Sequence, residues 1–293
     1  MLYADYLRQT GTQLYYGADT YWRIYQGCLV PASPIPTFVN IDTETSKRLL
    51  AESGAYMIRW SNDPSDKEMP WWWIVCDHYD IKRLDRETQK RIERGYKNCS
   101  VCLISAEWLA EFGYDCYKKA FQRYSNANPM SITEFRTNIQ SKIDYQLLFE
   151  YWGAFFENNL IGYIECIIED GKGVATNVSK YDPYYLKGDM KCYPSYILTD
   201  TILSEYIIKR NLLVSGGNRA ISHDTNIQDF RLKFGYGRQY CRLNVMYQPC
   251  LKLAISCLYP FRSLISDKGI MHKAKAILFQ EELGRECQKM IIS

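Results

Sequence analysis

The sequence predicts a protein of the α+β class, and three features of its second half carry that prediction. From about Tyr145 the pattern changes, and LFEYWGAFFENNLIGYIECIIEDGKGVATNVSKY (148–181) is typical of consecutive antiparallel strands. The segment Asp170-Gly171-Lys172-Gly173 separates two of these strands and is a strong hairpin signal. An amphipathic helix at 194–210 and an apolar run at 212–217 follow, so strands and helices alternate here.

The composition is that of an ordinary globular protein. The chain has 293 residues, which is enough for two domains or one large one, with 47% hydrophobic and 24% charged residues. The net charge, 36 − 33 = +3, is too small to indicate nucleic-acid binding by bulk electrostatics. The 25 tyrosines favour half-buried sheet and pocket walls over stacking on a sugar or base.

The cysteines indicate a reducing compartment. There are eleven, an odd number without the spacing of a disulfide framework, and no signal peptide is evident, so we expect a cytoplasmic protein. Cys99 and Cys102 are expected on one side of a strand, but they lack a second pair or a nearby histidine. We therefore expect no metal site. No run of 18 apolar residues indicates a membrane span.

Turn-forming residues punctuate the N-terminal half, and the elements between them are short. The run at 71–75 is expected to be a strand buried on both faces, because it is dense in tryptophan. Asp85 is the expected N-cap of a helix at 85–97 in which Gly95 is the stop signal, while Ser131 and Thr133 are alternative caps of another. Basic residues line one face of the first of these helices, and a solvated face is favoured over a phosphate-attracting wall. The predicted elements are strands at 37–42, 55–60, 71–75 and 100–105, and helices at 46–53, 85–97, 107–124 and 132–142.

Further elements are predicted in the C-terminal half after the helix at 194–210 and the strand at 212–217. After the strand at 212–217, a helix is expected around 230–236 and a strand from about residue 239. Pro260 is expected to end this unit, and a charged helical tail is predicted from 268 to 290.

Five segments resemble the acyltransferases of the GNAT superfamily, and more closely their FemAB-like branch. They are YWGAFFENNLIGYI (151–164), YPSY (193–196), LLVSGG (212–217), FRLKFGY (230–236) and, in the first lobe, QKRIERGYKNCSVCLIS (89–105). FemAB-like proteins have a pattern similar to F-K-x-x-F-G, and Arg231 stands where that pattern has lysine. The similarity is fairly specific over 145–250 and diffuse over 1–144.

The resemblance implies a three-layer GNAT fold, in which a mixed, twisted sheet is flanked by helices in two GNAT-like lobes. We therefore expect an N-terminal lobe at 1–144, an acyltransferase domain at 145–260 and a helical tail at 261–293. It also implies that acyl-CoA or aminoacyl-tRNA lies between two splayed strands and gives its acyl group to an amine. The usual phosphate loop departs from the family pattern, because residues 184–196 hold a single glycine, Gly188.

Candidate donor-binding residues flank the predicted helix at 194–210 and the glycine pair. Diphosphates bind at helix N-termini beside cations, and an ordinary surface crossover is the alternative for this loop. Glycine lets backbone approach a ligand closely, although a plain turn would also explain the pair. The candidates are Lys187, Gly188, Lys191, Tyr193, Ser195, Tyr196, Gly216, Gly217, Asn218 and Arg219.

Candidate substrate-binding and catalytic residues come from other segments. Phe230, Arg231 and Lys233 are expected to clamp an anionic substrate, or else the two cations complement a helix end. Amide formation needs an uncharged amine, and a base that accepts its proton. The candidates for that base are His223, Glu165 and Tyr240, although a histidine in a turn often caps or packs instead.

The function predicted from the sequence is an N-acyltransferase that uses acyl-CoA, with acetyl-CoA favoured. The expected acceptor is a primary amine on a sugar or small metabolite, which attacks the donor directly. Two alternatives stay open: transfer from aminoacyl-tRNA to a cell-wall precursor, and a non-catalytic binding or scaffold protein. Nucleic acid is expected as a partner only in the tRNA alternative, and the oligomeric state is not predicted.

Overall fold

The computed structural model describes residues 3–124, 127–169, 171–221, 227–265 and 270–292. The chain forms two compact units, named here for their place along it: the central unit, Val75–Gly217 with Ile227–Gly237, and the terminal unit, Tyr3–Ile74, Asn218–Asn226 and Arg238–Ser293. The segments of the two units alternate along the chain. The division into 1–144, 145–260 and 261–293 stays a prediction.

The N-terminal part of the terminal unit holds more strands than the sequence predicts. Residues 37–42 are not a strand, since only Phe38 bridges to Ser61 before Asp42 caps the next helix. β5 is half-exposed at Trp72 and Trp73, so it is not buried on both faces as expected. The elements are α1 (Tyr3–Gln9), β1 (Leu14–Gly17), β2 (Thr20–Tyr25), β3 (Cys28–Pro31), α2 (Thr43–Ser53), β4 (Met57–Pro64) and β5 (Trp71–Cys76).

The central unit follows the predicted order of elements closely. Asp85 caps α3 through Thr88 N at 2.9 Å, and Ser131 caps α6 in a capping box with Glu134. The elements are α3 (Arg86–Asn98), β6 (Ser100–Ile104), α4 (Ala106–Phe112), α5 (Tyr114–Ala120), α6 (Ile132–Gln140), β7 (Phe149–Phe156), β8 (Asn159–Glu169), β9 (Gly173–Tyr181), α7 (Pro183–Leu186), α8 (Pro194–Leu203), β10 (Leu213–Asn218) and α9 (Ile227–Leu232).

Two helix predictions in the central unit need correction. α3 does not end at Gly95 but continues to Asn98, and Gly95 instead faces α8. The helix predicted at 194–210 changes character after α8, because Ser204–Lys209 form a π-helix. Within it the Tyr206 hydroxyl donates to Glu150 Oε2 at 2.6 Å and accepts from Trp152 Nε1 at 3.0 Å. The buried Tyr206 side chain is thus held by two hydrogen bonds within the wider turn.

The strands of the central unit form a sheet in the order β10-β9-β8-β7-β6. The pairs β6/β7, β7/β8 and β8/β9 are antiparallel, while β9/β10 is parallel. A parallel pair needs a crossover, and the segment with α8 provides it. β8 is buried from Ile161 to Glu169, so this strand forms the middle of the core.

The terminal unit is completed by the C-terminal part of the chain. β11 (Gly237–Tyr247), α10 (Pro249–Leu258) and α11 (Ile270–Ile292) follow α9, and α10 was not predicted. The sheet order is β1-β2-β3-β4-β11-β5, with β3/β4 parallel and β4/β11 antiparallel. The expected class, a mixed sheet flanked by helices, is thereby confirmed. None of the described helices is both long and apolar enough to cross a membrane.

Candidate active site

The parallel strands β9 and β10 pair over only three residues. Gly173, Val174 and Ala175 of β9 oppose Leu213, Val214 and Ser215 of β10, and there the ladder ends. Both strands continue, β9 to Tyr181 and β10 to Asn218. We call the place where they separate, at Thr176 and Gly216, the fork. Beyond it, β10 no longer pairs with the edge of β9.

Arg231 of α9 occupies the base of the fork. Its side chain is buried and donates to the Gly216 carbonyl and, at 2.9 Å, to the Thr176 hydroxyl. That hydroxyl donates in turn to the Ser215 carbonyl at 3.2 Å. Side-chain hydrogen bonds therefore replace the backbone ladder at the position where it stops. The predicted substrate contact of Arg231 stays a prediction.

The two glycines of the pair have different reasons to be glycine. A Cβ on Gly216 would lie 2.5 Å from Arg231 Nη1, so the close neighbour of its backbone in the structure is this guanidinium. Gly217 has a φ of +88°, which only glycine adopts readily, and no atom lies within 4 Å of its would-be Cβ. Contact of either glycine with a donor stays a prediction.

An aromatic cluster connects α9 with the start of α8. The Tyr196 ring lies 5.1 Å from that of Phe230 and 5.6 Å from that of Phe234. Its hydroxyl accepts from Arg91 Nη1 at 2.7 Å. Phe230 and Tyr196, which the sequence placed in separate substrate and donor sites, are thus brought together, while Lys233 is exposed.

The start of α8 has no side-chain cap. Tyr193 is the N-cap residue, and its left-handed conformation (φ 45°) provides no side-chain bond to the first turn. Lys187, Gly188 and Lys191 are exposed just before it, and Ser195 is half-buried in its first turn. An uncapped helix start with cations beside it favours an anion.

Arg91 is a residue at this site that the sequence did not reveal. Its guanidinium lies 5.9 Å from the Tyr193 ring centre and 5.3 Å from that of Tyr196, and it pairs with Glu87 at 2.9 Å. It lies off the basic stripe of α3 that the spacing indicated. Only the packing of α3 against α8 identifies it, so no local signal could have found it.

Glu165 of β8 is buried in an ion pair. Its Oε2 lies 2.6 Å from Lys142 Nζ, and its Oε1 accepts from Asn177 Nδ2 at 2.7 Å. Lys142 is itself buried, with its ammonium 5.2 Å from the Phe149 ring centre. Both carboxylate oxygens have partners in this arrangement, and a catalytic role for Glu165 stays a prediction.

Three predicted site residues belong to the terminal unit, where two of them surround Trp72. The Arg219 guanidinium lies 4.5 Å from the Trp72 ring centre and donates to the Pro70 carbonyl, while burial lowers its pKa. The Tyr240 ring meets Trp72 edge-on at 6.2 Å. Asn218 lines a separate cavity of the same unit. His223 lies outside the described residues.

No cluster of three or more histidine, cysteine, aspartate or glutamate side chains that could hold a metal ion occurs in the described part of the chain. Every one of the eleven cysteines is a free thiol. What the central unit offers is backbone at the fork, an uncapped helix start and cations. Such a set can hold an extended anionic donor and orient a carbonyl group.

Three comparisons with known proteins bear on this arrangement. No protein-family model matches the chain, and no curated protein matches its sequence. Among solved structures, FemX is 11% identical with a TM-score of 0.58, over 86% of this chain and 92% of that one. The C-terminal domain of a putative lysylphosphatidylglycerol synthetase from Agrobacterium fabrum is 8% identical with a TM-score of 0.56, over 87% and 89%.

A third structure, L-PGS from Bacillus licheniformis, is 9% identical with a TM-score of 0.50 and covers 97% of this chain and 96% of its own. At such low identity, these likenesses show the fold alone. That shared fold agrees with the mixed sheet flanked by helices that the sequence predicted.

Proposed function

We propose that this chain is an N-acyltransferase of the FemAB-like branch that moves an acyl group from acyl-CoA to a primary amine. The observation that carries the proposal is the fork. Strands that stop pairing leave backbone N–H and C=O groups along their facing edges. The Ser215 and Gly216 carbonyls at the base of the fork already accept side-chain hydrogen bonds, so the groups for a ligand would be those of β9 beyond Thr176. A pantetheine arm contains amides, so it can bind to such an edge as an added strand would.

The start of α8 supports the same donor. A diphosphate needs N–H groups and cations. Pro194 at the start of α8 has no N–H, so the Ser195 N–H would hold it together with Lys187, Lys191 and Arg91. Because α8 lies in the crossover from β9 to β10, its first turn and the fork belong to one connected segment. Acetyl-CoA is the favoured donor, and the favoured acceptor is an amine of a sugar or small metabolite.

In the proposed reaction, the uncharged amine attacks the thioester carbonyl and forms a C–N bond. The C–S bond breaks, the thiolate leaves with the electron pair, and the proton from the amine passes to a base and then to the thiolate. Backbone N–H groups along the fork would stabilise the oxyanion. His223, Glu165 and Tyr240 stay the candidates for the base.

A second candidate uses an aminoacyl-tRNA as the donor. The likeness to FemX and to a putative lysylphosphatidylglycerol synthetase domain, at TM-scores of 0.58 and 0.56, favours it. In this case the bond broken is an ester, and the same fork would hold the aminoacyl end. An assay with charged tRNA and a matched uncharged tRNA distinguishes this donor from acyl-CoA.

The test is ligand-induced stabilisation, read together with turnover. Acetyl-CoA at about 100 times its Kd should stabilise the folded protein by about 2.7 kcal/mol, seen as a rise in Tm. Mass spectrometry of an amine panel measures acyl transfer. We expect Lys187→Glu/Lys191→Glu to lose most of the shift, whereas Lys118→Glu, an exposed cation of α5, should keep it.

The outcomes separate the candidates. A shift and acylated amine with acetyl-CoA, both lost in the double variant, support the primary proposal. A response to charged tRNA alone favours the second candidate. No stabilisation and no product with acetyl-CoA, long-chain acyl-CoA or charged tRNA would leave a non-catalytic binding protein and end both enzyme proposals.

A further inference from the structure

A small cavity in the terminal unit has an unusual lining. It has a volume of about 200 Å³ and lies among residues of β2, β3, β4, β5 and β11. Two arginines, Arg23 and Arg59, line it together with Trp60, Trp71 and Trp73. None of the described residues around it is acidic. The cavity therefore combines two positive charges with apolar, flat walls.

Arg59 has no carboxylate partner in the described part of the chain. Its Nη1 donates to Gln280 Oε1 at 2.7 Å, and its guanidinium lies 5.8 Å from the Trp71 ring centre. Burial lowers its pKa, and the groups that oppose this are the Cys28 thiol and the Tyr25 hydroxyl. A guanidinium has five N–H donors, and buried charges in proteins are ordinarily paired.

Two further donors at the same cavity lack acceptors among the described residues. Arg23 Nε and Trp73 Nε1 are buried and make no hydrogen bond there. The Arg23 guanidinium instead lies over two tyrosine rings, 5.7 Å from Tyr3 and 5.2 Å from Tyr25. Buried polar groups are nearly always satisfied, so the residues around this cavity contain more donors than acceptors.

We propose that this cavity binds a small organic anion. Arg23 and Arg59 would hold its carboxylate or phosphate group, and its apolar part would lie against the tryptophans. A dry cavity of about 150 Å³ holds benzene, so about 200 Å³ accommodates a ring with one anionic group. The site lies wholly in the terminal unit and is independent of the acyltransferase proposal.

The test uses the full chain and three probes of similar size: benzoate, phenyl phosphate and neutral benzyl alcohol. Isothermal titration at matched ionic strength should show binding of benzoate or phenyl phosphate with a Kd below about 1 mM, and no binding of the alcohol. The two anionic probes distinguish a carboxylate ligand from a phosphate. Inorganic phosphate tests whether the charge alone is sufficient.

Variants decide whether the arginines bind or merely pack. Arg59→Met and Arg23→Met should each weaken binding of the anionic probe at least about tenfold, while Arg48→Met, whose exposed side chain pairs with Glu52 in the same unit, should not. Removing a ligand-binding cation that lacks a carboxylate should leave the Tm of the ligand-free protein unchanged or higher. If a Met variant does not fold, Arg23→Lys is measured instead. It keeps the charge but removes the guanidinium, so it should still weaken binding of the anionic probe.

Three results would overturn the proposal. One is that no anionic probe binds below about 1 mM. Another is that benzyl alcohol binds as well as the anions, which would make the cavity merely apolar. The last is binding that survives in the Arg59 and Arg23 variants, which would place the anion elsewhere.

Discussion

Arg231 is the residue on which the geometry of the fork depends. It replaces a backbone ladder with side-chain bonds to Gly216 and Thr176, and it passes so close to Gly216 that a methyl group there would collide with it. The charge and the packing of one side chain thus set where β9 and β10 separate. This coupling can be measured.

We predict that Gly216→Ala destabilises the protein by about 1–3 kcal/mol, because the added Cβ overpacks the buried arginine. Arg231→Met should cost a similar amount, since the Gly216 carbonyl and Thr176 hydroxyl lose their donor. The double variant should lose less stability than the sum of the two single losses, by at least about 0.5 kcal/mol in the free energy of unfolding. Urea unfolding of the four proteins measures the cycle.

Gly217→Ala is the matched control for this cycle. It strains a left-handed backbone but meets no neighbour, so its effect should add to that of Arg231→Met. If the effects of Gly216→Ala and Arg231→Met were also additive, the contact between Gly216 and Arg231 would not be tight.

At the scale of residues, the sequence indicated which residues matter at the fork but not which side chains they contact. The glycine pair and the two cations of α9 were visible from residue type, but the contact of Gly216 with Arg231 depends on how two segments meet. Cys99 and Cys102 were expected on one side of a strand, which is wrong. Cys99 is the buried C-cap of α3, whereas Cys102 is exposed in β6.

At the scale of elements, two helices of the chain carry a glycine in their interior for different reasons. In α3, a Cβ on Gly95 would lie 2.5 Å from Ile197 Cγ2 and 2.9 Å from the Cys192 carbonyl oxygen. In α11, the nearest atoms to a Cβ on Gly284 lie at 3.9 Å. Helix propensity alone would predict the same gain at both sites.

We therefore expect Gly95→Ala and Gly284→Ala to have opposite effects. Gly95→Ala should destabilise the protein by about 1–3 kcal/mol, because α8 blocks the new methyl group. Gly284→Ala should stabilise it by about 0.5–1 kcal/mol. Thermal unfolding of both variants checks the pair, and stabilisation by Gly95→Ala would contradict the packing of α3 on α8 described here.

The elements that the sequence predicted well are long strands bounded by clear turn signals. β7, β8 and β9 have eight to eleven residues each and are separated by turn residues, so their limits are visible in the sequence. β1, β2 and β3 have only four to six residues each, too few for a period to emerge. The π-helix after α8 was missed because one wide turn hardly alters helical spacing.

At the scale of the whole molecule, the eleven thiols differ widely in access. Cys102, Cys250 and Cys257 are exposed, whereas the other eight are buried. Burial raises the pKa of Cys116 and of Cys241 to about 12. A raised thiol pKa leaves almost no reactive thiolate near pH 8.

We predict that iodoacetamide at pH 8 modifies Cys250 and Cys257 first, and leaves Cys116 and Cys241 unmodified in the native protein. Peptide mass spectrometry over a time course measures the order. In denaturant all eleven should react, which controls for reagent and detection. Native labelling of Cys116 at the rate of Cys250 would contradict the burial of α5.

The sequence predicted the fold class and most of the order of elements in the central unit, because both follow from the helix and strand patterns along the chain. It did not predict that both ends of the chain build one unit. Such an arrangement leaves no local trace, since it depends on pairing between residues nearly 200 positions apart, as between Met57 and Tyr247.

The position of β11 in the terminal unit has a consequence for biosynthesis. β11 lies between β4 and β5 in the sheet. During synthesis β4 and β5 therefore stay without this partner until β11 leaves the ribosome, about 160 residues after β5. Until then both carry open hydrogen-bonding edges, which attract other nascent chains and favour chaperone engagement. We therefore expect the terminal unit to fold slowly, because its strand pairs join residues that are far apart in the sequence.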